Sequence, residues 1–355
     1  MRLPPPAARR RALITIAPLL SLGLLVAACD SGDGTPARPV PAGHPCPDVA
    51  IPPTESSVWA EASETGAPTV PLTLLIPFAD GVTTTVSQGN QQGPTHTGRL
   101  AYAWDFDAAV GTAVHAAAPG IVTIARDDSS VSGPDASFED DANYVLLDHG
   151  GGLFTMYAHL GEGDVVVTPG QTVAAGALLG YTGLSGQLTG PHLHFHVENL
   201  WSDTLPARFV SRSAPFDCSR APSLGDGVFR PSGLTPLLVA PLAESQVPTD
   251  AFADMGVRSI EGLPARLFRR DHTYRLTGQV DPKLTRLFLL VVPEGGGPAL
   301  FTYESTVTLN GFFASDLRFD AVGDKLPAGR YGWAVIATND KSVTVPRSIR
   351  MTLLP

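Results

Sequence analysis

The sequence predicts an all-β protein: a compact antiparallel barrel or sandwich domain followed by a smaller β-sandwich. Three observations carry this. Helical periodicity is scarce along the chain, while short apolar runs of four to eight residues recur. Glycine and proline are abundant, 36 and 33 residues, and punctuate those runs at turn positions. A chain of 355 residues with 43% hydrophobic content exceeds one ordinary domain and can fill two cores.

Taken in order, residues 1–28 read as an export signal. Arg9-Arg10-Arg11 precede an apolar run that ends Leu25-Val26-Ala27-Ala28-Cys29. Small residues directly before a cysteine resemble a lipoprotein processing site. The expectation is an acylated Cys29, held to a bilayer at about 0.8 kcal/mol per buried methylene. Pro18 inside the short run argues against an uncleaved transmembrane helix. Residues 29–69, rich in Gly, Pro and Ser at their start, suit an anchor and tether. Cys46 and Cys218 are the other two of the 3 cysteines. In an exported chain they are candidates for a disulfide clamping the two ends of the first domain, with two free thiols as the alternative.

That first domain is expected over 70–220. Short strands are predicted within 112–125, at 143–148 and at 153–160, the last two joined through His149-Gly150-Gly151-Gly152 as a hairpin. Glycine-spaced strands follow across 170–180. The acidic, polar stretch 130–141 reads as a surface insertion. The second domain is expected over 231–355, with strands at 274–280, 287–292, 306–313 and 331–337.

Charge narrows the function. The formal charge is −10, and loss of Arg2, Arg9, Arg10 and Arg11 with residues 1–28 would leave 20 basic against 34 acidic residues. An acidic chain without a basic stripe is a poor nucleic-acid binder, because phosphate neutralisation dominates that affinity, and no nucleic-acid partner is expected.

The stretch Pro191-His192-Leu193-His194-Phe195-His196-Val197 carries the chemistry. Alternate residues of a strand share a face, so three imidazoles project together while Leu193, Phe195 and Val197 enter a core. The same alternation places Tyr157 and His159 on one face. It also sets Asp105 opposite a buried face of Tyr102, Trp104 and Phe106.

These segments resemble the lysostaphin/LytM-type zinc peptidases of the duplicated-hybrid-motif barrel fold. The likeness runs over about 77–197, through Val86-Ser87-Gln88-Gly89, Asp105-Phe106, Gly111-Thr112, Asn143-Tyr144-Val145, His149, Tyr157-Ala158-His159-Leu160 and Gly190-Pro191-His192-Leu193-His194-Phe195. The resemblance implies Zn²⁺ bound by His96, Asp105 and His194. Asp105 and His194 match directly. The commonest pattern has its first histidine four residues before the aspartate, where Ala101 stands here. His96-Thr97-Gly98 ahead of Tyr102-Ala103-Trp104-Asp105-Phe106 matches a longer-loop subgroup. Two imidazoles and a carboxylate suit a catalytic zinc with one position left open. The resemblance assigns His159 and His192 to general-base and oxyanion-stabilising roles, in an order it does not specify.

Other residues carry weaker expectations. His196 reads as a support residue, Asp107 as a competing ligand and His149 as structural; His44, His115 and His272 read as ordinary surface or loop histidines. Lysine occurs only at Lys283, Lys325 and Lys341, which excludes a biotinyl or lipoyl carrier despite similar glycine spacing over 170–180. The implied function is a zinc endopeptidase acting on peptidoglycan peptides from a lipid anchor in the cell envelope. The alternatives are an inactive relative that regulates wall hydrolases and a module that binds the wall.

Overall fold

The computed structural model describes residues 73–210, 225–229, 243–294, 297–320, 326–339 and 348–355. The signal segment, Cys29, His44, Cys46 and Cys218 lie outside these residues. All the described residues belong to one compact unit, Ala42–Pro355.

The architecture is all-β. A nine-stranded sheet runs in the order Thr172–Val173, Gly120–Arg126, Tyr144–Asp148, Phe154–Ala158, His192–Glu198, Trp104–Asp107, Thr83–Gln88 and Gly227–Phe229, with Thr204–Leu205 added beside His192–Glu198. A smaller sheet of Ala113–His115, Leu178–Thr182 and Leu160–Val165 closes the other side. Pairing is antiparallel in both sheets. Two short parallel pairs flank them, Thr73–Leu75 with Arg208–Val210 and Gly186–Gln187 with Ser132–Gly133. The hairpin at 149–153 turns on Gly150, Gly151 and Gly152, all at positive φ, a region that costs other residues steric strain.

Alternation sorts each central strand between two cores. Trp104, Phe106, Tyr157, Leu193, Phe195 and Val197 point inward and pack as the barrel core. Tyr102, expected among them, precedes the strand and is half-buried. On the opposite face Tyr144, Leu146, Phe154, Met156 and Ala158 pack against the C-terminal lobe, including Phe252, Phe268 and Trp333.

The C-terminal lobe is two sheets, one of Val257–Glu261, Thr273–Val280 and Phe312–Arg318. The other is Leu267–Arg269, Ile349–Leu354, Gly329–Thr338, Arg286–Val292 and Phe301–Thr306. The strand expected over 306–313 is instead the turn between two strands. Asn310-Gly311, with Gly311 at φ 81, makes it, and Leu309 is 97% exposed. Hydrogen bonds join the lobes: Asp148 accepts from the Ser245 amide at 2.7 Å, and the Tyr144 hydroxyl meets Glu294 at 2.7 Å.

His149, read as structural, lies buried between the Pro119 carbonyl at 2.6 Å and the Thr155 hydroxyl at 2.7 Å. Burial pushes its pKa down from 6.5 to about 4, partly offset by the bond to Pro119. A depressed histidine contributes stability that is fully present above pH 6.5 and is lost as pH falls towards 4, in total about 3 kcal/mol. Melting temperatures of His149→Gln between pH 7 and 4 should therefore fall less steeply than those of the parent. Parallel slopes would remove this assignment.

Candidate metal centre

The central strands bring together residues distant in sequence. Antiparallel pairing sets His194 opposite Asp105 on one side and Ala158 on the other. His96 arrives from the loop ahead of a short 3-10 turn, Gly98–Leu100. Its Nδ1–H donates to the Gly89 carbonyl at 3.0 Å, which turns Nε2 towards Asp105 at 3.2 Å. The Nδ1 of His194 lies 2.9 Å from the same carboxylate oxygen. One ligand atom from each of His96, Asp105 and His194 lies within 4.8 Å of the others, with His96 and Asp105 buried and His194 largely so. This donor set, two imidazoles and a carboxylate, can hold a metal ion and fits zinc.

The electrostatics agree with a cation site. Burial alone would raise the Asp105 pKa, but the His194 and His96 imidazoles set against its carboxylate hold it well below the usual carboxylate range. Burial lowers the His194 pKa to about 4 against the pull of Asp105, so its imidazole is neutral and keeps a lone pair at neutral pH.

His159 and His192 stand beside this group, ring centroids 4.6 Å apart, with His159 5.9 Å from His194. Each donates Nδ1–H to a backbone carbonyl, His159 to Ser185 at 2.7 Å and His192 to Gly190 at 2.9 Å. Nε2 of each is thereby left as the acceptor. His192 Nε2 lies 3.6 Å from Asp105. Burial, with the neighbouring His192 and His194, lowers the His159 pKa to about 3.

His159 does not share the face of Tyr157, as alternation predicted. The strand ends at Ala158, and His159 takes φ 66, so its ring leaves the barrel core and joins the His194 side. Left-handed backbone at a non-glycine residue costs about 1–3 kcal/mol and persists only where neighbours hold it. Here the Gly183 amide donates to the His159 carbonyl at 2.7 Å. A Cβ at Gly183 would lie 2.3 Å from Gly161 Cα, so this close approach requires glycine.

Of the remaining candidates, Asp107 is exposed and outside the His-Asp-His group. His115 bonds the Gly176 carbonyl at 2.8 Å, and His272 meets the Tyr274 ring edge-on, centroids 4.7 Å apart. Residues absent from the sequence reading are Gly183, Ser185, Glu198, Arg266 and Arg350. Glu198 had a signal, since the polar alternation 192-194-196 continues to it. The arginines had none.

The family described as Peptidase family M23 matches residues 99–206, which contain Asp105, His159, His192 and His194; His96 lies just ahead of the span. The chain is 36% identical over 93 residues to peptidoglycan DD-endopeptidase ShyA of Vibrio cholerae, covering 26% of this chain and 19% of that one. It is 35% identical over 100 residues to DD-carboxypeptidase/endopeptidase Mpg of Neisseria meningitidis serogroup B, covering 28% and 20%. The chain thus spans about a fifth of the length of these curated relatives. Among solved structures, a zinc containing peptidase from Vibrio cholerae shares 27% identity, with 39% of this chain and 42% of that chain covered and a TM-score of 0.26. The matched span, with its Asp105 and His-Leu-His strand, is a LytM-type domain of peptidase family M23.

Proposed function

We propose that the protein is a zinc-dependent endopeptidase that hydrolyses peptide cross-links of peptidoglycan, exported and held in the cell envelope by a lipid on Cys29. The observation that carries the reading is the convergence of His96, Asp105 and His194 within 4.8 Å, with two further imidazoles alongside. The named activities of the relatives, peptidoglycan DD-endopeptidase and DD-carboxypeptidase/endopeptidase, support the substrate class. In this reading residues 29–69 tether the catalytic domain, 70–220, and 231–355 form the C-terminal domain.

His96 through Nε2, Asp105 through its carboxylate and His194 through Nδ1 would hold the zinc ion. Bound there, zinc supplies Lewis acidity and lowers the pKa of a coordinated water to about 7. The protein's own groups do the rest. His159 and His192 present Nε2 on one side of the group, one placed to take a proton from the attacking water and the other, when protonated, to donate to a developing oxyanion. The Ser185 and Gly190 carbonyls keep each ring in that tautomer.

Digestion of purified sacculi by the full chain, with and without a chelator, tests the reading. Release of cleaved muropeptides that stops on chelation and returns with zinc is the expected result. Intact muropeptides in every condition would leave a wall-binding or regulatory protein instead.

A further inference from the structure

The strand that carries His194 does not end its polar face there. His194 Nε2 lies 3.0 Å from His196 Nδ1, and His196 Nε2 lies 3.1 Å from a Glu198 carboxylate oxygen. Glu198 is fully buried, and each of its oxygens has two partners. Oε1 accepts from Arg266 at 2.8 Å and from the Ser202 hydroxyl at 3.2 Å; Oε2 accepts from Arg350 at 2.7 Å and from His196. Both arginines come from the C-terminal lobe. Arg266 sits over the Phe154 ring at 4.4 Å and Arg350 over the Tyr144 ring at 5.4 Å. Burial alone would raise the Glu198 pKa, but the two guanidiniums hold it well below its ordinary value.

Hydrogen-bond polarity then runs one way. A carboxylate only accepts, so His196 must carry its proton on Nε2. With that proton on Nε2, the Nδ1 of His196 faces His194 Nε2 at 3.0 Å as the acceptor of its N–H. His194 in turn keeps its lone pair on Nδ1, the atom facing Asp105 and His96.

We propose that Arg266 and Arg350 of the C-terminal lobe, through Glu198 and His196, form a positioning relay that holds His194 in its metal-binding tautomer. The C-terminal lobe is on this account a working part of the metal centre rather than an appendage. The inference rests on the zinc reading above.

Zinc affinity of the purified full chain, measured by competition with a chromophoric chelator, tests it apart from activity. Glu198→Gln puts an amide donor where His196 needs an acceptor. His196→Leu breaks the relay. His196→Gln can restore it, with its amide oxygen accepting from His194 and its nitrogen donating to Glu198. Glu198→Gln and His196→Leu should bind zinc about 10–100-fold more weakly than the parent. His196→Gln should recover at least about tenfold of the His196→Leu loss. Ile124→Val, a change in the core shared by the lobes, measures loss through stability alone and should leave affinity near the parent value. If Glu198→Gln does not fold, the two His196 variants decide. Parent-like affinity in His196→Leu, no recovery in His196→Gln, or an equal loss in Ile124→Val would overturn the relay while the zinc reading stands. A parent chain that binds no zinc would remove the zinc reading first, and the relay with it.

Discussion

Asp105→Asn should lower cleavage of wall peptides by at least about 10³-fold and leave the chain with far less than one bound zinc. The substitution keeps side-chain shape, so the strand pairing of Trp104–Asp107 with His192–Glu198 should survive. It removes the group's single negative charge. That charge is held ionised in the buried site by His194 and His96, and among the described residues it is the one anionic donor grouped with the two imidazoles. Two imidazoles without the carboxylate form an incomplete set for a tetrahedral metal. Zinc content by mass spectrometry and hydrolysis on the same sample check both halves. Retained activity with zinc lost would show that the metal is not catalytic.

His159→Asn should behave differently. Turnover is expected to fall about 10²–10⁴-fold, the range for losing a positioned acid–base group, while zinc stays bound. Asparagine tolerates the left-handed backbone at this position, so the Gly183 contact and the strand break can persist. His159 lies outside the His-Asp-His group, yet its ring is 4.6 Å from His192 and 5.9 Å from His194. Full turnover in His159→Asn would leave His192 as the proton-transferring residue. Loss of zinc would instead make His159 part of the ligand set.

The contrast between these two variants reflects how each residue was legible. Asp105 and His194 sit inside regular strands, where the period of two decides which face a side chain takes. That period could be read from Trp104-Asp105-Phe106 and Leu193-His194-Phe195 directly. His159 sits one residue beyond a strand end. Alternation carried past Ala158 put it on the Tyr157 face, and the positive φ reverses that. The turn Asn310-Gly311 is hidden for a related reason, because the apolar residues around it read as one continuous strand.

The amino-acid sequence on its own determined the all-β class, the imidazole-bearing face of His192–Glu198 and the resemblance that named His96, Asp105, His159, His192 and His194. These depend on local alternation and on motifs within a few residues. Only the tertiary structure decided which side chains meet. Register set Asp105 opposite His194 across 89 residues, and the Gly89 carbonyl oriented His96. Packing of the second lobe brought Arg266 and Arg350 onto Glu198, 68 and 152 residues away. A buried carboxylate must find its counter-charge somewhere in the fold, but Coulomb attraction acts through space, and spacing along the chain does not say from where.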